Sequence, residues 1–186
     1  MNRVHRWLCR SSRWGKMLDQ FVVPWVLSDV ELGDEVLEVG PGPGLTTDLL
    51  RPRIAHLTAL EIDPALAQSL GARLRGTNVK VVRGDATAMP LGDARFSGAV
   101  SFTMLHHVPS PTLQDKLLRE VRRTLKPGGV FAGVDSLQSF GMRMLHIWGT
   151  LVPVDPGGFP ARLEAAGFRE PLVETNEHAF RFRARA

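Results

Sequence analysis

The chain has no tyrosine and a single cysteine, Cys9, in 186 residues. Without tyrosine it lacks the phenolic acid on which one large class of nicotinamide enzymes relies. A lone cysteine cannot close an internal disulfide, which fits a reducing compartment. No apolar run approaches the roughly 20 residues of a membrane-spanning helix. The opening residues also lack the contiguous apolar segment of a secretory signal, so a cytoplasmic location is expected. Internal repeats and low-complexity stretches are missing as well. One globular domain over residues 1–186 is therefore expected, with 44% hydrophobic residues to fill its core.

Acidic residues are absent from the first 18 positions. The net charge of +4 resides there: residues 1–27 hold Arg3, Arg6, Arg10, Arg13 and Lys16 against Asp19, and the remaining 18 basic and 18 acidic residues balance. A nucleic-acid enzyme usually carries basic residues around its cleft too, so this distribution disfavours a nucleic-acid partner. At 3.6 residues per turn, Trp7, Trp14, Leu18 and Phe21 share one side of a helix, and Pro24 should end or kink it. Such a helix can pack on the main domain, cover a substrate site, touch a membrane surface peripherally, or act as a targeting peptide. An acidic linker at 29–35 follows.

Apolar runs then alternate with helical periodicities. Residues 36–39 form such a run around Glu38, after which Gly40, Gly42 and Gly44 alternate with Pro41 and Pro43. This predicts a buried strand, a tight turn and a short helix over 45–50 that Pro52 stops. Further strands are predicted at 57–62, 79–82, 97–102 and 130–134. One helix is expected from Pro64 to Gly76 and another where Leu113, Leu117, Val121 and Leu125 recur. Met142, Met144, Leu145, Ile147 and Trp148 form an apolar patch, 159–166 reads as a helix ended by Gly167, and Phe180-Arg181-Phe182-Arg183 alternates like a terminal strand. Strands and helices spaced this way imply a parallel sheet covered on both faces, with a site at the strands' carboxyl ends.

The glycine turn is shared by several cofactor families, but its details discriminate. Pro41 and Pro43 carry no N–H, and Leu45 stands where a dinucleotide fingerprint has its third glycine. A cofactor with ribose but no phosphate fits better than a pyrophosphate. Glu61, 21 residues past Gly40 at the mouth of an apolar strand, can accept two hydrogen bonds from a ribose diol. Asp85 can accept from an adenine amine or cap its own turn.

Five ordered segments resemble the class I S-adenosylmethionine-dependent methyltransferases, in the small-molecule branch that includes quinone and sterol methylating enzymes. They are Leu37-Glu38-Val39-Gly40-Pro41-Gly42-Pro43-Gly44, Leu60-Glu61-Ile62-Asp63, Arg83-Gly84-Asp85-Ala86 with Met89-Pro90-Leu91, residues 97–108, and Leu125-Lys126-Pro127-Gly128-Gly129-Val130. The resemblance implies a three-layer, doubly wound, Rossmann-like α/β sheet of seven strands, mostly parallel with an antiparallel C-terminal strand. It implies a helical lead-in at 1–33, a cofactor-binding core at 34–135, and a substrate-side segment with terminal strands at 136–186. S-adenosylmethionine is the implied cofactor and no metal is expected. Its implied site comprises Glu38, Gly40, Gly42, Gly44, Glu61 for the ribose, Ile62 for the adenine face, Asp85 and Ala86 for the adenine edge, and Ser101 or Phe102 beside the sulfonium.

The implied reaction is methyl transfer to a small, apolar acceptor by in-line displacement, for which alignment and exclusion of water suffice. Where the acceptor must lose a proton, His106 and His107 are candidate bases; equally, a histidine there can be bonded to backbone. The absence of an Asn-Pro-Pro-aromatic segment argues against amino methylation of nucleobases. Alternatives are a cofactor-binding domain without turnover and a nicotinamide oxidoreductase. The N-terminal aromatics and the 142–148 patch are candidate pocket walls, and the oligomeric state is not specified.

Overall fold

Strands form where β-branched and apolar residues run together, and the most buried run takes the centre. β4 (Phe96–Phe102) is that strand, and β1 (Glu35–Val39), with Val36, Leu37, Glu38 and Val39 all buried, lies next to it. The computed structural model describes residues 12–137 and 150–186. β1 pairs in parallel with β2 (His56–Glu61) on one side and β4 (Phe96–Phe102) on the other. β3 (Val79–Arg83) lies outside β2, and β5 (Leu125–Ser136) outside β4. Beyond β5 come β7 (Ala179–Arg185) and then β6 (Arg169–Thr175), giving the order β3-β2-β1-β4-β5-β7-β6. β7 runs antiparallel to both neighbours. This is the Rossmann-like, mostly parallel sheet that the motif order implies, with its antiparallel strand at 179–185.

Alternating side chains feed two cores. On one face Leu37, Val39, Phe131 and Phe182 meet α5 (Pro111–Thr124) through Leu117, Leu118 and Val121, and α6 (Phe159–Ala165) through Phe159 and Leu163. On the other, Val36, Leu57, Val100 and Ala132 meet α2 (Val23–Leu27) through Val23 and Val26, and α3 (Leu45–Leu50) through Leu50. α4 (Pro64–Arg73) covers Ala59 on this second face with Leu70. Buried leucines and valines at about 1.5–3 kcal/mol each make these two layers the main source of stability. At Gly133 a β carbon would fall 2.3 Å from the Ser101 carbonyl and 2.6 Å from the Phe182 ring, so glycine permits the close packing of β4, β5 and β7.

Three expectations need correction. The predicted stripe Trp14, Leu18 and Phe21 is split, because α1 (Ser12–Met17) passes into a π-helical turn at Leu18–Val22 before α2. The wider π turn rotates Phe21 off the Trp14 and Leu18 face, and Phe21 is 67% exposed while Leu18 is buried. Pro24, expected to end or kink the helix, does not end it: the helical run continues to Leu27, with the π-helical turn Leu18–Val22 just before the proline. β5 starts earlier than its apolar run, since Leu125 already pairs with Phe96. Trp7 and the 142–148 patch lie outside the described residues. Among the described residues no helix is long and apolar enough to cross a membrane.

Candidate functional site

The strand order reverses between β2 and β4 around β1, and a crevice opens at such a reversal at the carboxyl ends. Here it is a cavity of about 460 Å³. The turn after β1, residues 61–63 after β2, 84–87 after β3 and 102–104 after β4 line it, with Trp14 and Leu18 of the N-terminal helix and Leu113 and Leu117 of α5.

The turn holds Gly40, Gly42 and Gly44 at φ of 71°, 55° and 88°, a region that glycine enters without steric cost. A β carbon at Gly40 would stand 2.3 Å from Met104 Cγ, so substitution there is blocked by space as well as by φ. All three glycine N–H groups are committed internally. Gly40 donates to the Leu60 carbonyl at 2.9 Å, Gly42 to Glu61 Oε2 at 2.9 Å, and Gly44 to the Pro41 carbonyl at 2.9 Å. With prolines at 41 and 43, residues 40–44 keep no uncommitted main-chain donor, which leaves fewer donors here than a pyrophosphate cradle uses, in agreement with the proline argument from sequence.

Glu61 is buried, and its second oxygen accepts from the Asp63 N–H at 2.9 Å. A carboxylate has about four lone-pair sites. Two are used, which leaves acceptor capacity facing the cavity. Ile62, 63% exposed, lines the cavity beside it as an apolar face. Asp63 caps α4 by accepting from Ala65 and Leu66. Asp85 also does two things: its Oδ1 accepts from the Thr87 N–H at 2.8 Å and hydroxyl at 2.9 Å, and the residue lines the cavity with Ala86.

Glu38, Gly44 and Ser101 are not brought to the cavity wall. Glu38 points behind the turn, where it accepts from the Thr46 hydroxyl and from the Thr47 hydroxyl at 2.6 Å. Burial pushes its carboxyl up to about 7, against the lowering effect of both hydroxyls. Gly44 is the N-cap of α3. Ser101 is fully buried with a partnerless hydroxyl, and the neighbouring Phe102 is the β4 residue that reaches the cavity.

The two histidines part company. After β4 the chain turns sharply at Thr103, whose φ of 49° is an outlier for a β-branched residue and whose N–H donates to the Val134 carbonyl at 2.8 Å. A 3₁₀ turn, Leu105–His107, follows. His106 turns inward: its Nδ1 bonds Asp135 Oδ1, and its N–H donates to Asp135 Oδ2 at 3.1 Å. Both residues are buried. His106 is therefore withdrawn from the cavity by a carboxylate rather than by backbone. His107 lines the cavity, its ring centroid 4.2 Å from that of His106. Gln114 of α5 fixes the same turn by donating to the carbonyls of Leu105 at 3.1 Å and Val152 at 2.9 Å.

Sequence reasoning missed Thr103, Met104, Gln114 and Asp135. Asp135 had a signal, an acid at the end of an apolar strand like Glu61. Thr103 and Gln114 had none, because a left-handed threonine and a buried glutamine are made by the tertiary fold.

The methyltransferase domain family matches residues 37–133. An uncharacterised methyltransferase of Bacillus subtilis is 25% identical over 141 residues, covering 68% of this chain and 76% of that protein. A ubiquinone biosynthesis O-methyltransferase of Pseudomonas fluorescens is 30% identical over 133 residues, 68% of this chain and 56% of that protein. Ribosomal RNA small subunit methyltransferases also match, the Yersinia enterocolitica protein at 36% over 75 residues but across 28% of its length. The chain thus spans about half or less of several relatives it matches. An S-adenosylmethionine-dependent methyltransferase from Aquifex aeolicus shares the fold, with a TM-score of 0.77, 20% identity, and coverage of 100% of this chain and 98% of that one.

Proposed function

We propose a function from one premise: this chain belongs to the methyltransferase domain family, matched over residues 37–133. It is an S-adenosylmethionine-dependent methyltransferase, and its acceptor is a small, apolar molecule. The observation that carries this reading is a single cavity with a carboxylate-bearing floor and an apolar wall. The floor is Glu61 and Asp85; the wall includes Trp14, Leu18, Met104, Val108, Leu113 and Leu117. The donor set fits a cofactor with a ribose diol and no phosphate, because Glu61 retains acceptor capacity while the turn's N–H groups are spoken for. Leu45, where a dinucleotide fingerprint has its third glycine, and the two prolines make a nicotinamide dinucleotide the poorer fit.

In this reading Glu61 accepts from the ribose hydroxyls, Ile62 lies against the adenine face, Asp85 and Ala86 meet the adenine edge, and Gly40 and Gly42 border the methionine part. When bound, S-adenosylmethionine supplies a methyl group already activated by a good leaving group. The protein's task is then to orient the acceptor and keep water out, which the apolar wall does. His107 lines the cavity and His106 does not, so in this reading His107 is the ring placed to take an acceptor proton. Replacing His107 with Gln lowers turnover about 10²-fold for a hydroxyl acceptor and leaves cofactor affinity intact; unaltered turnover removes it as a base.

The acceptor is tested by offering quinones, phenols, lipids and RNA in parallel with isotope-labelled cofactor. Product from the apolar small molecules supports the reading, and product from RNA alone overturns it. Cofactor binding by calorimetry with no product from any of them favours a binding domain without turnover. The Pseudomonas relative, named for ubiquinone biosynthesis, favours the first outcome.

A further inference from the structure

Among the described residues four large apolar side chains are exposed: Met17, Phe21, Ile62 and Leu172. Ile62 lines the cavity and Leu172 lies on the edge strand β6. Met17 and Phe21, 43% and 67% exposed, serve neither core nor cavity. They are four residues apart on the N-terminal helix, so they share a face. Arg13, one turn before Met17 on that side, and Lys16 beside it are both exposed. Asp19 falls on another side of the helix. In sequence Arg3, Arg6 and Arg10 precede this segment, which carries the whole net charge of the chain.

The π turn at Leu18–Val22 produces this arrangement. A continuous α-helix would aim Phe21 toward the side of Trp14 and Leu18, which line the cavity. The wider turn sends Phe21 outward to join Met17 instead, and such turns concentrate at functional sites. One short helix thereby shows its inner face to the cavity and an apolar, basic-rimmed face to solvent. Apolar side chains flanked by arginine and lysine suit an anionic lipid surface: the Phe21 ring and the Met17 thioether enter the acyl boundary while the cations meet the headgroups.

We infer that Met17 and Phe21, with Arg13 and Lys16, dock this protein on an anionic lipid bilayer, from which an apolar acceptor reaches the cavity beneath Trp14 and Leu18. The inference rests on the apolar-acceptor reading above. The helix is then both a wall of the site and its contact with the phase where such an acceptor dissolves.

The test is flotation of the full chain with phosphatidylcholine vesicles, with and without added phosphatidylglycerol. Binding is expected only with the anionic lipid and is expected to fall steeply with salt. Lys16→Glu should weaken it by about five-fold or more. The double change Met17→Ser with Phe21→Ser should weaken it about ten-fold at unchanged charge. Both variants alter exposed side chains, and S-adenosylmethionine affinity by calorimetry should stay within about two-fold, which shows the fold retained. Equal binding to both vesicle types, or indifference to the double change, overturns the inference. So does salt-sensitive capture by RNA that the double change leaves intact, because a nucleic-acid arm needs the charges and not Phe21. Loss of vesicle binding with methylation of an apolar acceptor retained in detergent sinks the docking alone. Vesicle binding without methylation of any apolar acceptor sinks the acceptor reading alone.

Discussion

On the β1, β2 and β3 side of the cavity, each acidic side chain is held by main-chain N–H groups or by a neighbour two or three residues away. Glu61 takes Gly42 and Asp63, Asp63 takes Ala65 and Leu66, and Asp85 takes Thr87. On the β4 and β5 side the ties span the chain. His106 meets Asp135, Gln114 reaches Val152, and the wall is closed by Trp14 and Leu18 from the N-terminal helix. Apart from the Gly42–Glu61 bond, which joins the turn after β1 to the end of β2, the first side is a set of local devices that a short sequence motif can encode. The second exists only when distant elements are packed, so its geometry depends on the stability of the whole.

The contrast is broken most directly at Glu61. Glu61→Ala removes the acceptor proposed for the ribose and leaves the Gly42 and Asp63 N–H groups without a partner. Two charge-assisted bonds at about 1.5–3 kcal/mol each make a loss of cofactor affinity of about 10²-fold or more the expected result by calorimetry. A change under about three-fold would mean that this side does not hold the cofactor.

His106→Ala tests the other side. It leaves the buried Asp135 carboxylate without its ring partner, which costs about 3–5 kcal/mol in denaturant unfolding. Adding Asp135→Asn should restore part of that loss, because a neutral amide tolerates burial better than a carboxylate left with only the main-chain donors of residues 106 and 136. If His106→Ala were neutral for stability and harmful to turnover, the pair would belong to the chemistry and not to the scaffold.

Glu38 sharpens the comparison through pH. Its carboxyl is raised to about 7 from 4.5 by burial, so the fold favours the uncharged form. That contribution is fully present below pH 4.5 and lost as pH rises through 7, a change of roughly 3 kcal/mol. Glu38→Gln cannot titrate and should flatten the stability curve across this window. An unchanged curve would show that another group carries the dependence.

The smallest effect is expected at the tether of the N-terminal segment. Arg181 of β7 donates to the Trp25 carbonyl at 2.5 Å and to the Ser28 hydroxyl at 2.8 Å, and pairs with Glu174. Arg181→Ala should lower stability by about 1 kcal/mol and loosen α2 in hydrogen exchange, leaving cofactor affinity unaltered. A large loss of affinity would make the helix part of the polar side instead.

This division also decides what could be read before the fold was known. β1, β2, β4 and β5, the turn and its acids were legible because burial on both faces writes continuous apolar runs, and because Glu61 and Asp85 stand at or just past the ends of theirs. β6 was not, since it is an edge strand interrupted by Pro171 and by a register shift between Arg169 and Leu172, and it shows no buried alternation. Phe21 was placed on the wrong face because 3.6-residue periodicity assumes an α-helix, and the π turn departs from it. His106 and His107 looked equivalent in sequence. The fold separates them: His106 is buried against Asp135, 29 residues on, while His107 lines the cavity.

The anchoring of Glu61 by main-chain donors has a consequence for substitution. A backbone N–H survives every substitution except to proline, so the Asp63 donor to this carboxylate is indifferent to most side-chain changes, whereas the Gly42 donor depends on a glycine at φ 55°. Trp14, Leu18, Met104 and Leu113 have no such shelter, and each can be exchanged for another apolar residue of different shape.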